Sequence, residues 1–232
     1  MEKIVILTGA GISAESGLGT FRDEGGLWAQ YRIEDVATPE AFARNPQLVQ
    51  DFYNQRRSQA EAAQPNPAHD ALARLEREWS GDVHIVTQNV DSLHEKAGSR
   101  SVLHLHGTLA GALCNSCGHR WHAPMSMKEN ETCPRCAAPA ARPDVVWFGE
   151  MPYHMEEIFD LLSCADLFAA IGTSGQVYPA AAFVQEAAAS GAETIEFNLD
   201  ASAVASDFDD VQLGKASALI PAWVDRLLGK PA

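Results

Sequence analysis

Four cysteines carry the sharpest spacing in the chain. Cys114, Cys117, Cys133 and Cys136 fall as C-x2-C-x15-C-x2-C. Two such knuckles can bring four thiolates to the corners of a tetrahedron, which suits Zn(II), and a filled thiolate shell leaves no open position for catalysis. His119 and His122 are near enough to substitute, but the set is already complete. A redox CxxC is the competing reading, and the duplicated pair speaks against it. Cys164 stands alone between a helix and a strand and is expected to be a small core residue.

A second group of polar residues sits where apolar runs stop. His106 precedes Gly107 at the end of the run Val102 to Leu105, and open parallel sheets bind ligands beyond such strand ends. An imidazole with an ordinary pKa of about 6.5 accepts a proton at neutral pH, which makes His106 the candidate base. His104 shares its strand face and lies deeper. Either histidine could instead be a satisfied structural residue. Gln88, Asn89 and Asp91 end another run, and Asn89 and Asp91 could position a carboxamide or a ribose or merely cap the chain. Tyr53 and Arg56 are three apart on a helical segment, so they share a face where phenol and guanidinium could grip a carboxylate. The bland alternative is a solvated helix face.

These residues need a sheet to gather them, and the first stretch supplies its start. Ile4, Val5, Ile6 and Leu7 form an unbroken apolar run, as in a parallel strand covered on both faces. Gly9-Ala10-Gly11-Ile12-Ser13-Ala14 then fits G-x-G-x-x-A, in which glycines permit a tight turn and close approach to a pyrophosphate while helix amides face its oxygens. Alone, the motif could be a plain turn. Gly17, Gly19, Gly25 and Gly26 interrupt the helix that a hydride-transfer enzyme would place next. The pattern therefore points to a dinucleotide without hydride chemistry.

Strands are also expected at Val83 to Val86, Val145 to Phe148, Leu167 to Ile171 and Ile195 to Asn198. Gly172-Thr173-Ser174 and Asn198 give two more polar strand ends. Helical segments broken at Pro39 and Pro46 lie between Tyr31 and Gln64. Asn66 and Pro67 start a further helix with Leu72, Leu75 and Trp79 on its buried side, and His69 there reads as structural or surface. Ala180 to Ala189 and a last helix carrying Leu219, Ile220, Trp223, Leu227 and Leu228 complete the pattern. The strand-helix order predicts an α/β fold, a Rossmann-like doubly wound parallel sheet interrupted by the cysteine segment.

With 232 residues the chain can bury a large core as one domain with an elaboration. Its formal charge of -14 repels a phosphate backbone, which argues against nucleic acid as a main partner. No apolar run approaches a membrane span, and Met1-Glu2-Lys3 leads directly into a strand, so a reducing cytoplasm is the expected compartment. The oligomeric state is not set by the sequence, which is compatible with a monomer.

Taken together, GAGISAESG with TFRD, QNVD, LHLHGT, the paired CxxC and GTS with FN resemble the sirtuin family of NAD-dependent protein lysine deacylases along essentially the whole chain. Ala37-Thr38-Pro39 followed by FYNQRR is similar to its class III branch, which prefers succinyl-lysine and malonyl-lysine. The resemblance implies a large domain from residues 1–30, 80–110 and 143–232. It implies a small domain from a helical module, 31–79, and a zinc ribbon, 111–142. NAD would be enclosed by Gly9, Ala10, Gly11, Ile12, Ser13, Glu15, Thr20, Phe21, Arg22 and Trp28. Gln88, Asn89 and Asp91 would take its nicotinamide-ribose half, and Gly172, Thr173, Ser174, Asn198, Leu199, Asp200 and Ala216 its adenosine side. Val145, Val146, Phe148 and Gly149 would pair with the backbone of an acylated-lysine peptide by strand addition.

In the implied branch, Ala37 enlarges the acyl pocket while Tyr53 and Arg56 bind the acyl carboxylate. The implied reaction displaces nicotinamide at the ribose C1′ by the acyl oxygen, giving an alkylimidate. His106, assisted by Asn89 and Asp91, then activates a ribose hydroxyl, and the products are lysine, nicotinamide and O-acyl-ADP-ribose. NAD is consumed and one structural Zn(II) is retained. His104 stands where many relatives carry an acid. Alternatives are a plain deacetylase, an NAD glycohydrolase or ADP-ribosyltransferase, and a non-catalytic zinc-ribbon module.

Overall fold

The structure, a computed structural model, describes residues 2–19 and 31–229. The chain opens with β1 (Lys3–Thr8), α1 (Ala10–Ala14), α2 (Ile33–Val36), α3 (Pro39–Arg44), α4 (Pro46–Ala62) and α5 (Pro67–Glu78). It continues through β2 (Asp82–Thr87), α6 (Leu93–Ala97), β3 (Val102–His104), β4 (Gly107–Cys114), β5 (Arg120–His122) and β6 (Ala141–Val145). The last part holds α7 (Met155–Leu162), β7 (Leu167–Ile171), α8 (Phe183–Ala189), β8 (Glu193–Asn198), β9 (Asp210–Leu213) and α9 (Ala216–Leu227).

Six strands form one parallel sheet in the order β3-β2-β1-β7-β8-β9. The order reverses at β1 and β7, which is where a doubly wound sheet opens a crevice for ligands. The apolar run of β1 explains the layering. Ile4 and Ile6 point to one face and pack with Leu72, Leu75 and Trp223 from α5 and α9. Val5 and Leu7 point to the other and pack with Ile158, Leu162 and Phe183 from α7 and α8. Alternate side chains of one strand thus serve two cores.

The remaining strands form a separate antiparallel sheet, β5-β4-β6. Here the structure corrects the expected strand at Val145 to Phe148. Pairing ends at Val145, and β6 lies beside β4 in the small sheet, because Gly107 to Cys114 forms a long strand that needs a partner. β9, a short strand at the sheet edge, carries no apolar run and was not expected. Pro39 and Pro46 open helices instead of breaking them, each at the first position after a capping residue, Thr38 and Asn45. Within 31–79, α5 covers the large sheet while α2, α3 and α4 share a core with Leu109, Val145 and Trp147. His69 is structural, closing a capping box with Asn66 at the start of α5.

α4 ties the parts together. Gln50 donates to Ala141 O, Asn54 exchanges hydrogen bonds with the backbone of Met127, and Arg57 donates to Leu109 O. At its other end Lys96 Nζ, from α6, donates to the carbonyls of Ala60, Glu61 and Ala63, which the helix would otherwise leave unpaired.

Candidate active site

β1 delivers the glycine turn to the rim of the sheet and lays it across the end of β7. Gly9 N–H donates to Ile171 O and Gly11 N–H to Gly172 O, both at 2.9 Å. A Cβ on Gly11 would lie 2.6 Å from Gly172 Cα, and one on Gly9 2.7 Å from Gly172 O. Gly172 has a φ of +65°, so side chains are excluded from both sides of this contact. α1 has only five residues, so a diphosphate here would meet a concavity of backbone amides more than the field of a helix. Gly11→Ala is expected to push the turn off β7 at a cost of about 1–3 kcal/mol, raising the KM for NAD about tenfold or more. Kinetics at varied NAD together with a melting curve test this, and an unchanged KM would contradict it.

Asn89 grips that turn from the loop that follows β2. Its Nδ2 donates to Gly9 O at 3.0 Å and to Ser13 Oγ at 3.1 Å. Ser13 Oγ in turn donates to Asp91 Oδ2 at 3.2 Å, and Leu93 N–H donates to Asp91 Oδ1 at 3.1 Å. Asn89 and Asp91 are each only 8% exposed. Burial pushes the Asp91 carboxyl up, against the Leu93 amide, the Ser13 hydroxyl and the charge of His104. Gln88 N–H donates to Thr8 O, which keeps the tip of β2 level with the turn.

His106 stands beside this tip with Nδ1 at 3.1 Å from Gln88 O. A carbonyl oxygen only accepts, so Nδ1 carries the proton and Nε2 presents a lone pair. Burial holds the imidazole below its ordinary value, opposed by the Gln88 carbonyl, and the ring is a neutral base at neutral pH.

The residues expected to line an acyl pocket converge around α4. Tyr53 is 1% and Ala37 3% exposed, and both pack with Trp147 and Val145. Trp147 Nε1 donates to Tyr53 Oη at 3.0 Å, and burial pushes the phenol up, keeping its proton. Arg56 lies with its guanidinium 5.7 Å from the Tyr53 ring. Burial lowers Arg56 from its ordinary value, opposed by Tyr53 and by the charge of Asp91. The expected peptide strand is partly engaged within the chain: Val146 N–H donates to His106 O and Phe148 N–H to Ala37 O. Phe148 is 48% exposed, and Gly149 is exposed beside it.

Sequence reasoning overlooked what holds Trp147. Arg142 stacks on its ring at 3.4 Å from the centroid and makes a two-pronged ion pair with Glu150, whose carboxylate also accepts from Trp147 N–H. No periodic signal connects residues 142, 147 and 150, because two of them lie in irregular backbone.

On the far side of the crevice, Asn198 Nδ2 donates to Thr173 O, and Gly172 N–H donates to Phe197 O. Ser174 O accepts from Ala203 N–H, and Leu199 and Asp200 are exposed at the end of β8. Glu15 is engaged within the chain: its carboxylate accepts from Ser217 N–H and Ser217 Oγ, next to Ala216 at the start of α9. Thr20, Phe21, Arg22 and Trp28 lie outside the described residues.

The four cysteines meet as their spacing demands. All four Sγ atoms lie within 4.8 Å of one another, with Cys114–Cys136 and Cys117–Cys133 both at 3.7 Å. Four thiolates at about 2.3 Å from a tetrahedral Zn(II) stand about 3.8 Å apart, so the residues fit that ion. Cys164 is not a core residue. It is exposed, and Lys3 Nζ donates to its sulfur at 3.0 Å, because the end of α7 turns it outward.

Residues 9–179 match the Sir2 family. The chain is 55% identical over 232 residues to an "NAD-dependent protein deacylase" of Caulobacter vibrioides, covering 98% of each chain. It is similar to a solved Sir2 homolog–NAD complex, with 40% identity, a TM-score of 0.90 and coverage of 98% of this chain and 89% of the other. It is also similar to a mutant Sir2 homologue in complex with 2′-O-acetyl ADP ribose, with 40% identity, a TM-score of 0.88 and coverage of 97% and 91%. The glycine turn, the Asn89–Asp91 tip, His106 and the cysteine ribbon all fall within the matched stretch, and the chain belongs to the Sir2 family.

Proposed function

We propose that this chain is an NAD-dependent protein lysine deacylase that favours acyl groups ending in a carboxylate, succinyl and malonyl above acetyl. One observation carries the catalytic part: the glycine turn, Asn89, Ser13 and Asp91 form a continuous hydrogen-bonded rim, and beside it His106 is held through Nδ1, which leaves Nε2 unpaired among the described residues as a base. NAD supplies an electrophilic ribose carbon with nicotinamide as its leaving group. Asn89 and Asp91 orient the nicotinamide ribose, and His106 takes a proton from a ribose hydroxyl. Gly172, Thr173, Ser174 and Asn198 hold the adenosine half, and a peptide docks along Val146 to Gly149 through the carbonyls of that segment. The relatives' names and complexes support the NAD-dependent deacylase part of this reading, and the cysteine thiolates hold one Zn(II) for structure alone.

The acyl preference rests on Tyr53 and Arg56. Tyr53 Oη already accepts from Trp147 Nε1, so its own O–H is left to donate toward an acyl carboxylate. Arg56 supplies the matching charge from one helical turn away. Arg56→Met removes hydrogen bonds to a charged group worth about 1.5–3 kcal/mol, or about 10–100-fold in kcat/KM on succinyl-lysine peptide. Acetyl turnover is expected to stay within a few fold. Mass spectrometry of acetyl-, malonyl- and succinyl-lysine peptides with and without NAD reads this out, and an equal loss on all of them removes the carboxylate role. Nicotinamide release without acylated peptide would instead favour a glycohydrolase.

A further inference from the structure

His104 has no part in the chemistry above, yet it is as tightly placed as His106. Its Nδ1 lies 3.1 Å from Asn89 O and its Nε2 2.7 Å from Glu95 Oε1. The carbonyl can only accept, so Nδ1 carries a proton. The Glu95 carboxylate also accepts, so Nε2 carries another, and the ring is an imidazolium with both protons engaged. Two consecutive carbonyls, those of Gln88 and Asn89, are therefore each held by one histidine from the end of the same edge strand. Glu95 belongs to α6, so the contact joins β3 to α6 across the tip of β2.

We propose that His104 and Glu95 form a charged clasp that sets the Gln88–Asp91 tip, which makes His104 a positioning residue for the Asn89 amide and the Asp91 carboxylate. The proposal rests on reading that tip as the nicotinamide-ribose end of the site. Fixing the Asn89 peptide fixes the side chain that reaches Gly9 and Ser13. The titratable groups facing His104 are Glu95 and His94 on α6 and Asp91 in the loop between β2 and α6, and the charge of Asp91 also acts on Arg56 of α4. A cation here favours the charged form of Asp91, which burial opposes.

The two histidines thus work in opposite protonation states. Burial keeps His106 below its ordinary value, and its base function is lost as pH falls through that lowered pKa. Burial also pulls His104 down, but the hydrogen bond and charge of Glu95, with Asn89 and Asp91, raise it overall. Its charge is present at low pH and lost as pH rises through the raised pKa. Activity should therefore have an acid limb set by His106 and an alkaline limb set by His104.

The pH profile of kcat/KM for NAD, taken with acylated peptide for the wild type, Glu95→Gln and His104→Gln, tests the clasp. Glu95→Gln keeps the shape but removes the counter-charge, so the alkaline limb should move down by about one pH unit while the acid limb stays in place. His104→Gln should lose the alkaline limb. A uniform fall at every pH, or an unchanged profile, overturns the proposal. Nitrogen NMR of the His104 ring adds a readout independent of turnover: a doubly protonated ring at neutral pH supports the clasp and a singly protonated one ends it. A wild type that consumes no NAD would instead overturn the functional reading, with the ring signal still deciding the clasp.

Discussion

His106→Ala is expected to lower the steady-state rate of deacylation about 10²–10⁴-fold while leaving NAD binding nearly unchanged. The separation follows from geometry. Among the described residues His106 meets the rim through Nδ1 and the Gln88 carbonyl, whereas the group that grips the glycine turn is the Asn89 amide, which donates to Gly9 O and Ser13 Oγ. Removing the imidazole therefore deletes a proton acceptor and leaves the cradle in place. In the proposed reaction the base acts after nicotinamide has left, so exchange of labelled nicotinamide into NAD should persist in the variant when acylated peptide is present. It should also lose the acid limb of the pH profile, since that limb belongs to the lowered pKa of His106. Exchange that falls in step with deacylation would move His106 from the proton-transfer step to cofactor binding.

The legible parts of this molecule are those in which a single physical demand falls on consecutive residues. Gly9 and Gly11 could be read because backbone contact with Gly172 tolerates no side chain. The first run, Ile4 to Leu7, could be read because a two-faced strand needs apolar residues at every position. The cysteine spacing encodes its own geometry.

What stayed hidden depends on partners far apart in sequence. An apolar stripe marks α5 as a buried helix but does not say that the large sheet, and not the helical module, lies beneath it. Apolarity at Val145 to Phe148 gives no strand direction, and only Gly107 to Cys114 on the opposite side makes β6 antiparallel. Tyr53 and Arg56 are visible as a pair on one helical face, whereas the Arg142–Glu150 pair that holds Trp147 against Tyr53 has no common period. Glu95 likewise meets His104 only because α6 packs beside the edge strand.

Removing zinc is expected to abolish activity although Cys114 stands at the opposite end of eight-residue β4 from His106, on the order of 20 Å along the strand. Its binding contributes about 10–16 kcal/mol in small thiolate domains, comparable to or larger than the net stability of about 5–15 kcal/mol of a whole fold. Without it four thiols at mutual distances under 4.8 Å have nothing to hold them, and the ribbon loosens. The damage then travels through α4. Gln50, Asn54 and Arg57 lose the ribbon carbonyls and amide of Ala141, Met127 and Met125. Arg57, only 4% exposed, is left as a buried charge with too few acceptors. Tyr53 and Arg56 ride on the same helix, so the acyl pocket should fail before the parallel sheet does. Chelation, or Cys133→Ala, should lower the melting temperature by about 10 °C or more. Succinyl turnover should fall more steeply than NAD affinity, and zinc added back to the chelated protein should restore both. A metal-free protein that keeps its succinyl preference would break the link from ribbon to α4 to pocket, and a metal content other than one per chain would break the assignment of the four cysteines.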